Sequence, residues 1–339
     1  MTALLLASAV ERAGFFIAAG TVVAMIVYFV VTFRQRDPEI DLSKEIELAP
    51  NRKPYFDDEA MEGRRLEQAL GWALVLLVIA AIGPLVYWLN EPSRQAGAIV
   101  DFDAKAVERG RQLFLPTDSP EHGAHFGCAT CHGIDGAGGV APYTVTDYLG
   151  ANRQVKWEAP AVDTALLKFS PEEVETILIY GRANSPMPAW GIKGGGPMND
   201  QQITDLVAYL DSIKISPQKA RERAFTDAAR QADLDGKFSP DGESLFKANC
   251  ARCHTAGWSY GEPTVPAGGA FGPNLTGGET IRQFPDVDTM VEFITNGSEF
   301  GKPYGVRGVG GNEGGGMPGF ANILTADQIR AIIDYERNL

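Results

Sequence analysis

The chain has 339 residues, with 45% hydrophobic residues and a formal net charge of −13, and its length allows about two to three domains. The acidic balance argues against nucleic-acid binding, which calls for a basic surface. It leaves two alternatives, a solvated acidic surface or attraction of a basic protein partner. All four cysteines lie in two short motifs, so no disulfide framework is expected.

Two stretches near the start of the chain, residues 13–33 and 69–89, contain no charged side chain. Each has about the 20 residues that an α-helix needs to cross the hydrocarbon core of a bilayer. A buried core helix is the alternative for either stretch. Together the two stretches predict a two-helix transmembrane hairpin within residues 1–97, with a connecting loop at residues 34–68.

The connecting loop is rich in basic residues, whereas the segment before the first stretch carries only Arg12. The basic residues of the loop are Arg34, Arg36, Lys44, Arg52, Lys53, Arg64 and Arg65. By the positive-inside rule the loop lies in the cytoplasm. We therefore expect a multi-pass protein of a bacterial cell membrane, with the rest of the chain on the extracytoplasmic side.

The remainder of the chain contains two copies of one motif, C-A-T-C-H at residues 128–132 and C-A-R-C-H at residues 250–254. The pattern C-x-x-C-H is the attachment signature of a c-type heme. Two thiols one helical turn apart reach the two vinyl groups of one porphyrin, and the adjacent histidine faces the iron. A zinc ribbon would separate its cysteine pairs by about 15–20 residues, far fewer than here. A thioredoxin-like dithiol would lie in a βαβ setting, which neither motif has.

The motifs predict two covalently bound heme c groups. The expected attachment residues and proximal iron ligands are Cys128, Cys131 and His132 for the first group and Cys250, Cys253 and His254 for the second. Covalent attachment takes place outside the cytoplasm in bacteria, in agreement with the predicted topology. His122 and His125, just before the first motif, are either solvated loop histidines or ligands of a metal or of the other heme.

Two methionines lie at the same place in the two halves, before the last helix of each. Met187 and Met317 each precede a proline, which stiffens an extended loop and can hold a thioether at an iron. Met198 lies too close to a helix cap to be the expected ligand and is expected to pack in the core. Met290 lies within a helix and is also expected to pack in the core. We predict Met187 and Met317 as distal ligands, which raise a heme potential relative to bis-histidine ligation. Filled axial positions predict electron transfer, without catalytic residues.

Local signals predict the surrounding helices. A linker is expected at residues 90–100, followed by a helix at residues 106–114. The sequence S-P-E-E at residues 170–173 predicts a capped helix start, with the helix running to about residue 180. Asn199 or Asp200 is expected to cap the next helix. Further helices are predicted at residues 216–234, 287–296 and 325–338, the first of them linking the two halves.

Fourteen residues carry a resemblance to class I cytochrome c domains. They are Gly110, Phe114, Cys128, Cys131, His132, Met187 and Tyr209, with their counterparts Gly242, Phe246, Cys250, Cys253, His254, Met317 and Tyr335. The resemblance implies that the first and last helices of each domain cross at the glycine and the aromatic residues. The expected fold is mainly α, with the transmembrane hairpin followed by tandem cytochrome c domains at residues 98–215 and 216–339, the second including the linking helix.

Two apolar helices followed by two such domains are similar to the di-heme subunit of C-family heme–copper oxidases. Tandem domains also resemble the di-heme subunit of respiratory quinol–cytochrome c reductases, which differs in carrying its anchor at the C-terminus. The resemblance implies an electron-transfer subunit that relays electrons from quinol oxidation toward a terminal oxidase, with the oxidase subunit as the alternative. Its partners would be integral membrane subunits and a soluble or membrane-bound redox protein. Further alternatives are the cytochrome subunit of a periplasmic dehydrogenase, a di-heme peroxidase, and a structural protein with degenerate heme sites.

Overall fold

The computed structural model describes residues 20, 23–24, 27–28, 64–146, 149–299, 301–309 and 316–339. The chain divides into two compact units, Met1–Phe102 and Asp103–Leu339. Helix α1 (Arg64–Phe114) begins in the first unit and ends in the second. In the first unit it exposes large apolar side chains such as Leu77 and Trp88.

In the described part of the chain, one helix, Gln68–Phe114, is long and apolar enough to cross a membrane. This agrees with the prediction for residues 69–89 and is consistent with membrane anchoring. The predicted span at residues 13–33 and the loop at residues 34–68 lie largely outside the described residues. The two-helix hairpin and its orientation therefore stay predictions.

The predicted linker at residues 90–100 is wrong, because these residues continue α1 without interruption. Side chains on successive turns hold the helix together across Pro92. The carboxylate of Glu91 accepts hydrogen bonds from Arg94 at 2.7 Å and from Gln95 at 2.9 Å. Such i,i+3 and i,i+4 pairs stabilise a helix enough to offset part of the main-chain hydrogen bond that a proline removes.

The second unit holds two domains built on one plan. The elements of the first domain after α1 are α2 (Cys128–His132), β1 (Gly139–Thr146), β2 (Asn152–Ala159), α3 (Ala165–Lys168), α4 (Pro171–Tyr180) and α5 (Asp200–Ser212). The linking helix and the second domain comprise α6 (Pro217–Leu234), α7 (Gly242–Asn249), α8 (Ala251–His254), α9 (Glu279–Gln283), α10 (Val287–Asn296) and α11 (Ala326–Glu336). Short 3₁₀ turns occur at Ile192–Gly194 and Trp258–Tyr260. The mainly helical expectation is confirmed.

An antiparallel hairpin of β1 and β2 interrupts the helical plan of the first domain. Its register pairs Gly139 with Ala159 and Thr146 with Asn152. This hairpin was not expected from the sequence. It begins at Gly139, shortly after the first C-x-x-C-H motif, and ends just before Pro160, so it connects that motif to the loop that begins at Pro160.

The predicted helix starts are confirmed by their caps. The Ser170 hydroxyl accepts a hydrogen bond from the Glu173 main-chain N–H at 3.2 Å, and the Glu173 carboxylate accepts one from the Ser170 N–H at 2.8 Å. Asn199 caps α5 through the same reciprocal arrangement with Gln202. Satisfying these otherwise unpaired N–H groups fixes where each helix begins. Ser216 caps the predicted linking helix α6.

The first and last helices of each domain cross at a glycine, as the resemblance implied. A Cβ atom at Gly110 would lie 2.0 Å from the main-chain oxygen of Asp205 in α5. A Cβ atom at Gly242 would lie 2.1 Å from the main-chain oxygen of Ala331 in α11. A residue larger than glycine would therefore push the two helices apart in either domain.

Aromatic rings pack beside each crossing. The rings of Phe114 and Tyr209 have centroids 5.2 Å apart and planes inclined by 51°. Those of Phe246 and Tyr335 are 5.4 Å apart and inclined by 52°. The near-identical geometry shows that the two domains repeat the same packing.

Each domain has its own hydrophobic core. The first includes Met198 and Ile203, and the second includes Met290 and Ile332, all of them buried. The predictions that Met198 and Met290 pack in the core are thus confirmed. Along α6, four alanines at intervals of four residues form the buried face of the linking helix. They are Ala220, Ala224, Ala228 and Ala232.

Candidate functional site

Both C-x-x-C-H motifs form a single helical turn at the same place in their domains. The first is α2 and the second is α8 with Cys250 as its N-cap. Residues three apart in a helical turn lie on one face. The turn therefore places the two thiols of each motif together, and all four cysteines are free.

The histidine of each motif is oriented by a proline carbonyl. His132 Nδ1 lies 2.8 Å from the main-chain oxygen of Pro160, and His254 Nδ1 lies 3.0 Å from that of Pro273. Because a carbonyl oxygen can only accept, Nδ1 carries the proton and Nε2 keeps its lone pair. Metal-binding histidines are commonly fixed in this way. Burial lowers the pKa of both imidazoles, which favours the neutral form that binds a metal.

The methionine loops are also equivalent. The main-chain N–H of Arg182 donates to the main-chain oxygen of Met187 at 3.0 Å. The N–H of Ser298 donates to the main-chain oxygen of Met317 at 2.9 Å. In each domain, therefore, the residue two positions beyond the preceding helix holds the loop that carries the methionine.

A glycine ends the helix before each methionine loop. Gly181 follows α4 with φ of 71°, and Gly297 follows α10 with φ of 81°, a region that favours glycine. A Cβ atom at either position would lie 2.7 Å from the main-chain oxygen of Met187 or Met317, respectively. Both methionine side chains are partly buried and pack against the core of their own domain. Their coordination of iron stays a prediction.

The two histidines before the first motif differ in their surroundings. His125 Nδ1 lies 2.7 Å from the main-chain oxygen of Gln112, and its Nε2 lies 2.8 Å from that of Glu121. These two hydrogen bonds raise the pKa of His125 and engage both ring nitrogens. His122 is exposed. No group of three or more potential metal ligands lies together in the described part of the chain.

The second motif faces the first domain, which sequence reasoning did not anticipate. The guanidinium of Arg252, between the two cysteines of that motif, donates a hydrogen bond to the main-chain oxygen of Glu158 in β2. The same guanidinium lies 3.9 Å from the Glu158 carboxylate. Its positive charge also contributes to the lowered pKa of His132, a smaller effect than that of burial.

The hairpin extends this contact between the domains through aromatic residues. The ring of Trp157 in β2 packs 5.4 Å from that of Tyr260 and 6.3 Å from that of Phe271. Beside them, Arg153 forms an ion pair with Glu262. The hairpin is thus one part of the first domain that contacts the second domain near its heme motif.

Further contacts between the domains are made by α3 and by the linking helix. The N–H of Gly319 donates to the main-chain oxygen of Lys168 at 3.0 Å. Arg223 in α6 binds both carboxylate oxygens of the buried Asp163 at 2.8 Å each. The first domain therefore contacts the loop that carries Met317.

These arrangements suit the covalent attachment of a heme whose iron would be bound by the motif histidine, which is the chemistry of a c-type cytochrome. Residues 107–214 match the family model for cytochrome c. Residues 239–335 match the family model described as cytochrome c oxidase, cbb3-type, subunit III. Searches of curated proteins and of solved structures gave no match. The chain thus carries two domains of the cytochrome c family, and such domains bind heme c covalently.

Proposed function

We propose that the chain is a membrane-anchored di-heme cytochrome c that relays electrons within a respiratory membrane complex. Bound heme c supplies a one-electron redox couple. The observation that carries the proposal is the repeated geometry of the two sites, each with a C-x-x-C-H turn, a histidine held by a proline carbonyl and a methionine loop held at its carbonyl. Two complete sets of residues imply two hemes per chain.

In this proposal each domain supplies both axial ligands. His132 and Met187 serve the first domain, and His254 and Met317 serve the second. With these two residues bound to each iron, neither heme would leave a position at the iron for a substrate. The chain therefore transfers electrons and carries out no substrate chemistry of its own.

The membrane anchor is proposed to be the two-helix hairpin, with the loop at residues 34–68 in the cytoplasm and both heme domains outside. The apolar part of α1 supports the second of these helices, and the basic residues of the loop support the orientation. Protease added to right-side-out vesicles should cleave the heme domains and spare the loop. Protection of the heme domains would contradict this topology.

The proposed path runs from quinol oxidation in a cytochrome bc-type reductase, or its supercomplex, toward a terminal oxidase. A second candidate is the di-heme subunit of a C-family oxidase. The match of residues 239–335 to the cbb3-type subunit III model favours that alternative for the second domain. Both candidates assign the same chemistry to the chain and differ in the integral membrane subunits that surround it.

Isolation of the tagged chain from its native membranes tests the proposal. We expect quinol to reduce both hemes, as followed by visible absorbance, and a cytochrome b with a Rieske protein to co-purify. Co-purification of a heme–copper catalytic subunit alone would favour the oxidase alternative. If quinol fails to reduce either heme while a dehydrogenase substrate or hydrogen peroxide reacts, the respiratory assignment is wrong.

A further inference from the structure

The β1–β2 hairpin is fixed to the first C-x-x-C-H motif at both of its ends. Just before its start, the N–H of Gly138 donates to the main-chain oxygen of His132 at 2.8 Å. A Cβ atom at Gly139 would lie 2.5 Å from the main-chain oxygen of Cys131, so β1 begins in close contact with the motif. Just after its end, the carbonyl of Pro160 accepts the hydrogen bond from His132 Nδ1 at 2.8 Å. The hairpin and the histidine of the first motif therefore keep a fixed relation.

One face of the hairpin packs on the second domain. Alternate residues of a strand, and residues directly opposite each other in an antiparallel pair, lie on the same face. Val155, Trp157 and Tyr143 share such a face, because Tyr143 pairs with Val155. The half-buried ring of Trp157 lies 5.3 Å from that of Tyr143 in the hairpin and 5.4 Å from that of Tyr260 in the second domain. Trp157 therefore packs between its own strand pair and the second domain.

Trp157 also contacts the segment that orients the histidine of the second motif. Its ring lies 6.3 Å from that of Phe271. A Cβ atom at the next residue, Gly272, would lie 2.5 Å from Cε1 of His254, so this segment packs directly on the imidazole. The following carbonyl, that of Pro273, accepts the hydrogen bond from His254 Nδ1 at 3.0 Å. The contact between Trp157 and Phe271 therefore joins β2 to the three residues that hold His254.

A second contact joins β2 to the second motif itself. The guanidinium of Arg252 donates a hydrogen bond to the main-chain oxygen of Glu158 and lies 3.9 Å from its carboxylate. Glu158 lies two residues before Pro160, whose carbonyl orients His132. Within four consecutive residues, 157–160, the chain thus contacts the parts of the molecule that hold both histidines.

We propose that Trp157 and Arg252 are positioning residues for electron transfer between the two hemes, because they join β2 to the second domain and so fix the separation of His132 and His254. This inference rests on the proposed di-heme function. The rate of electron transfer through protein falls steeply with the distance between the redox centres. Linked domains move relative to each other unless their interface prevents it. The contacts of β2 oppose that motion and keep the two centres at one short separation.

The test uses the full-length chain carrying Trp157→Ala, Arg252→Met or both substitutions. Trp157→Phe is the conservative variant, because it keeps an aromatic ring at the contact. Lys156→Ala is the matched control, since Lys156 is exposed and lies on the opposite face of the same strand. Denatured mass and visible absorbance first establish that each variant carries two hemes with unchanged axial ligands.

Two quantities are then measured on each variant. Dipolar electron paramagnetic resonance between a nitroxide on Thr204→Cys, an exposed position of α5, and the ferric hemes gives the distance to each heme. The distance to the first heme is an internal reference, because the label lies in the same domain. Pulse reduction followed by visible absorbance gives the rate of electron transfer between the hemes, and redox titration gives their potentials.

We expect the double variant to broaden the distribution of distances to the second heme and to leave the distance to the first heme sharp. Electron transfer between the hemes should slow several-fold at unchanged potentials, a combination that a general loss of stability would not produce. Each single variant should show a smaller change in the same direction. Trp157→Phe should retain most of the rate, and Lys156→Ala should change neither quantity.

An unchanged distance distribution or an unchanged rate in the double variant would overturn the inference while leaving the di-heme function intact. Absence of two hemes from the unmodified chain would instead overturn the function itself. If Trp157→Ala loses heme, Arg252→Met alone decides by the same two measurements.

Discussion

Leu210 and Glu336 occupy the same position in the two cytochrome c domains. Each directly follows the tyrosine, Tyr209 or Tyr335, that packs on the first helix of its domain. Each residue is 5% exposed. The first domain therefore buries a leucine where the second buries a carboxyl group, and the charge of Glu336 contributes to the raised pKa of the Cys250 thiol.

Glu336 should make the stability of the second domain depend on pH. Burial raises the pKa of its carboxyl group from 4.5 to about 8, so the fold favours the protonated form. The unfolded chain ionises near 4.5, and stability is therefore highest below that pH, falls as pH rises toward 8, and levels off above it. Each unit of pKa difference corresponds to about 1.4 kcal/mol.

Chemical denaturation of Glu336→Leu between pH 4 and pH 9 measures this effect. We expect the variant to be more stable than the unmodified protein at pH 8. Its stability should fall much less than that of the unmodified protein as the pH rises. Asp334→Asn is the control, because Asp334 is exposed on the same helix. A decline that persists unchanged in Glu336→Leu would show that other groups cause it.

The helix crossings should tolerate no side chain larger than glycine. Gly110→Ala and Gly242→Ala each place a Cβ atom within about 2 Å of a main-chain oxygen, so we expect a loss of about 1–3 kcal/mol in the free energy of unfolding. Gly97→Ala, in the same helix as Gly110 but with open space around it, should be neutral or slightly stabilising. Thermal unfolding followed by circular dichroism measures the stability of all three variants. An equal change of stability in all three would contradict the close helix crossings.

The ion pair between Arg223 and Asp163 should hold the linking helix on the first domain. Arg223→Met leaves a buried carboxylate without its partner. We therefore expect the free energy of unfolding to fall by about 1–3 kcal/mol. Arg230→Met, which removes an exposed pair with Asp227 at 3.4 Å on the same helix, should cost much less. Urea denaturation compares the two variants. A larger loss in Arg230→Met would contradict the assignment.

Much of the fold could be predicted because its signals are local. The sequence around Ser170 determines its own cap, and the glycine and aromatic positions repeat at matching places in both domains. The predicted linker at residues 90–100 is wrong because the helix continues through Pro92, where neighbouring side-chain pairs offset the lost main-chain hydrogen bond. The β1–β2 hairpin was missed although alternating residues on both sides of a glycine at position 150 are typical of one.

The two C-x-x-C-H turns could be located from the sequence, whereas most of their surroundings could not. A C-x-x-C-H motif specifies attachment by spacing alone, whereas contacts such as that of Arg252 with Glu158 join residues far apart in sequence. The burial of Glu336 had a signal in its spacing from Ile329 and Ile332, which places all three on one helix face. The position of Lys168 beside the Met317 loop depends on how the two domains pack, and no local pattern encodes that packing.

Met187 and Met317 should be the distal iron ligands of the two hemes. Replacement of either methionine by histidine should keep the heme six-coordinate and lower its potential, because a thioether stabilises ferrous iron better than an imidazole does. Met198→Leu should leave both potentials nearly unchanged, since Met198 is fully buried in the core. Redox titration of the three variants measures the heme potentials and tests the ligand assignment. Loss of the thioether signal in Met198→Leu and its retention in Met187→His would overturn the assignment in the first domain.

The most direct test of the central claim is the mass of the denatured full-length protein purified from a host that attaches c-type hemes. Both motifs are intact and sit in equivalent turns, so the mass should equal that of the polypeptide plus two hemes. Cys128→Ala with Cys131→Ala should leave one heme, and so should Cys250→Ala with Cys253→Ala. A mass corresponding to one heme or to none in the unmodified protein would contradict the account.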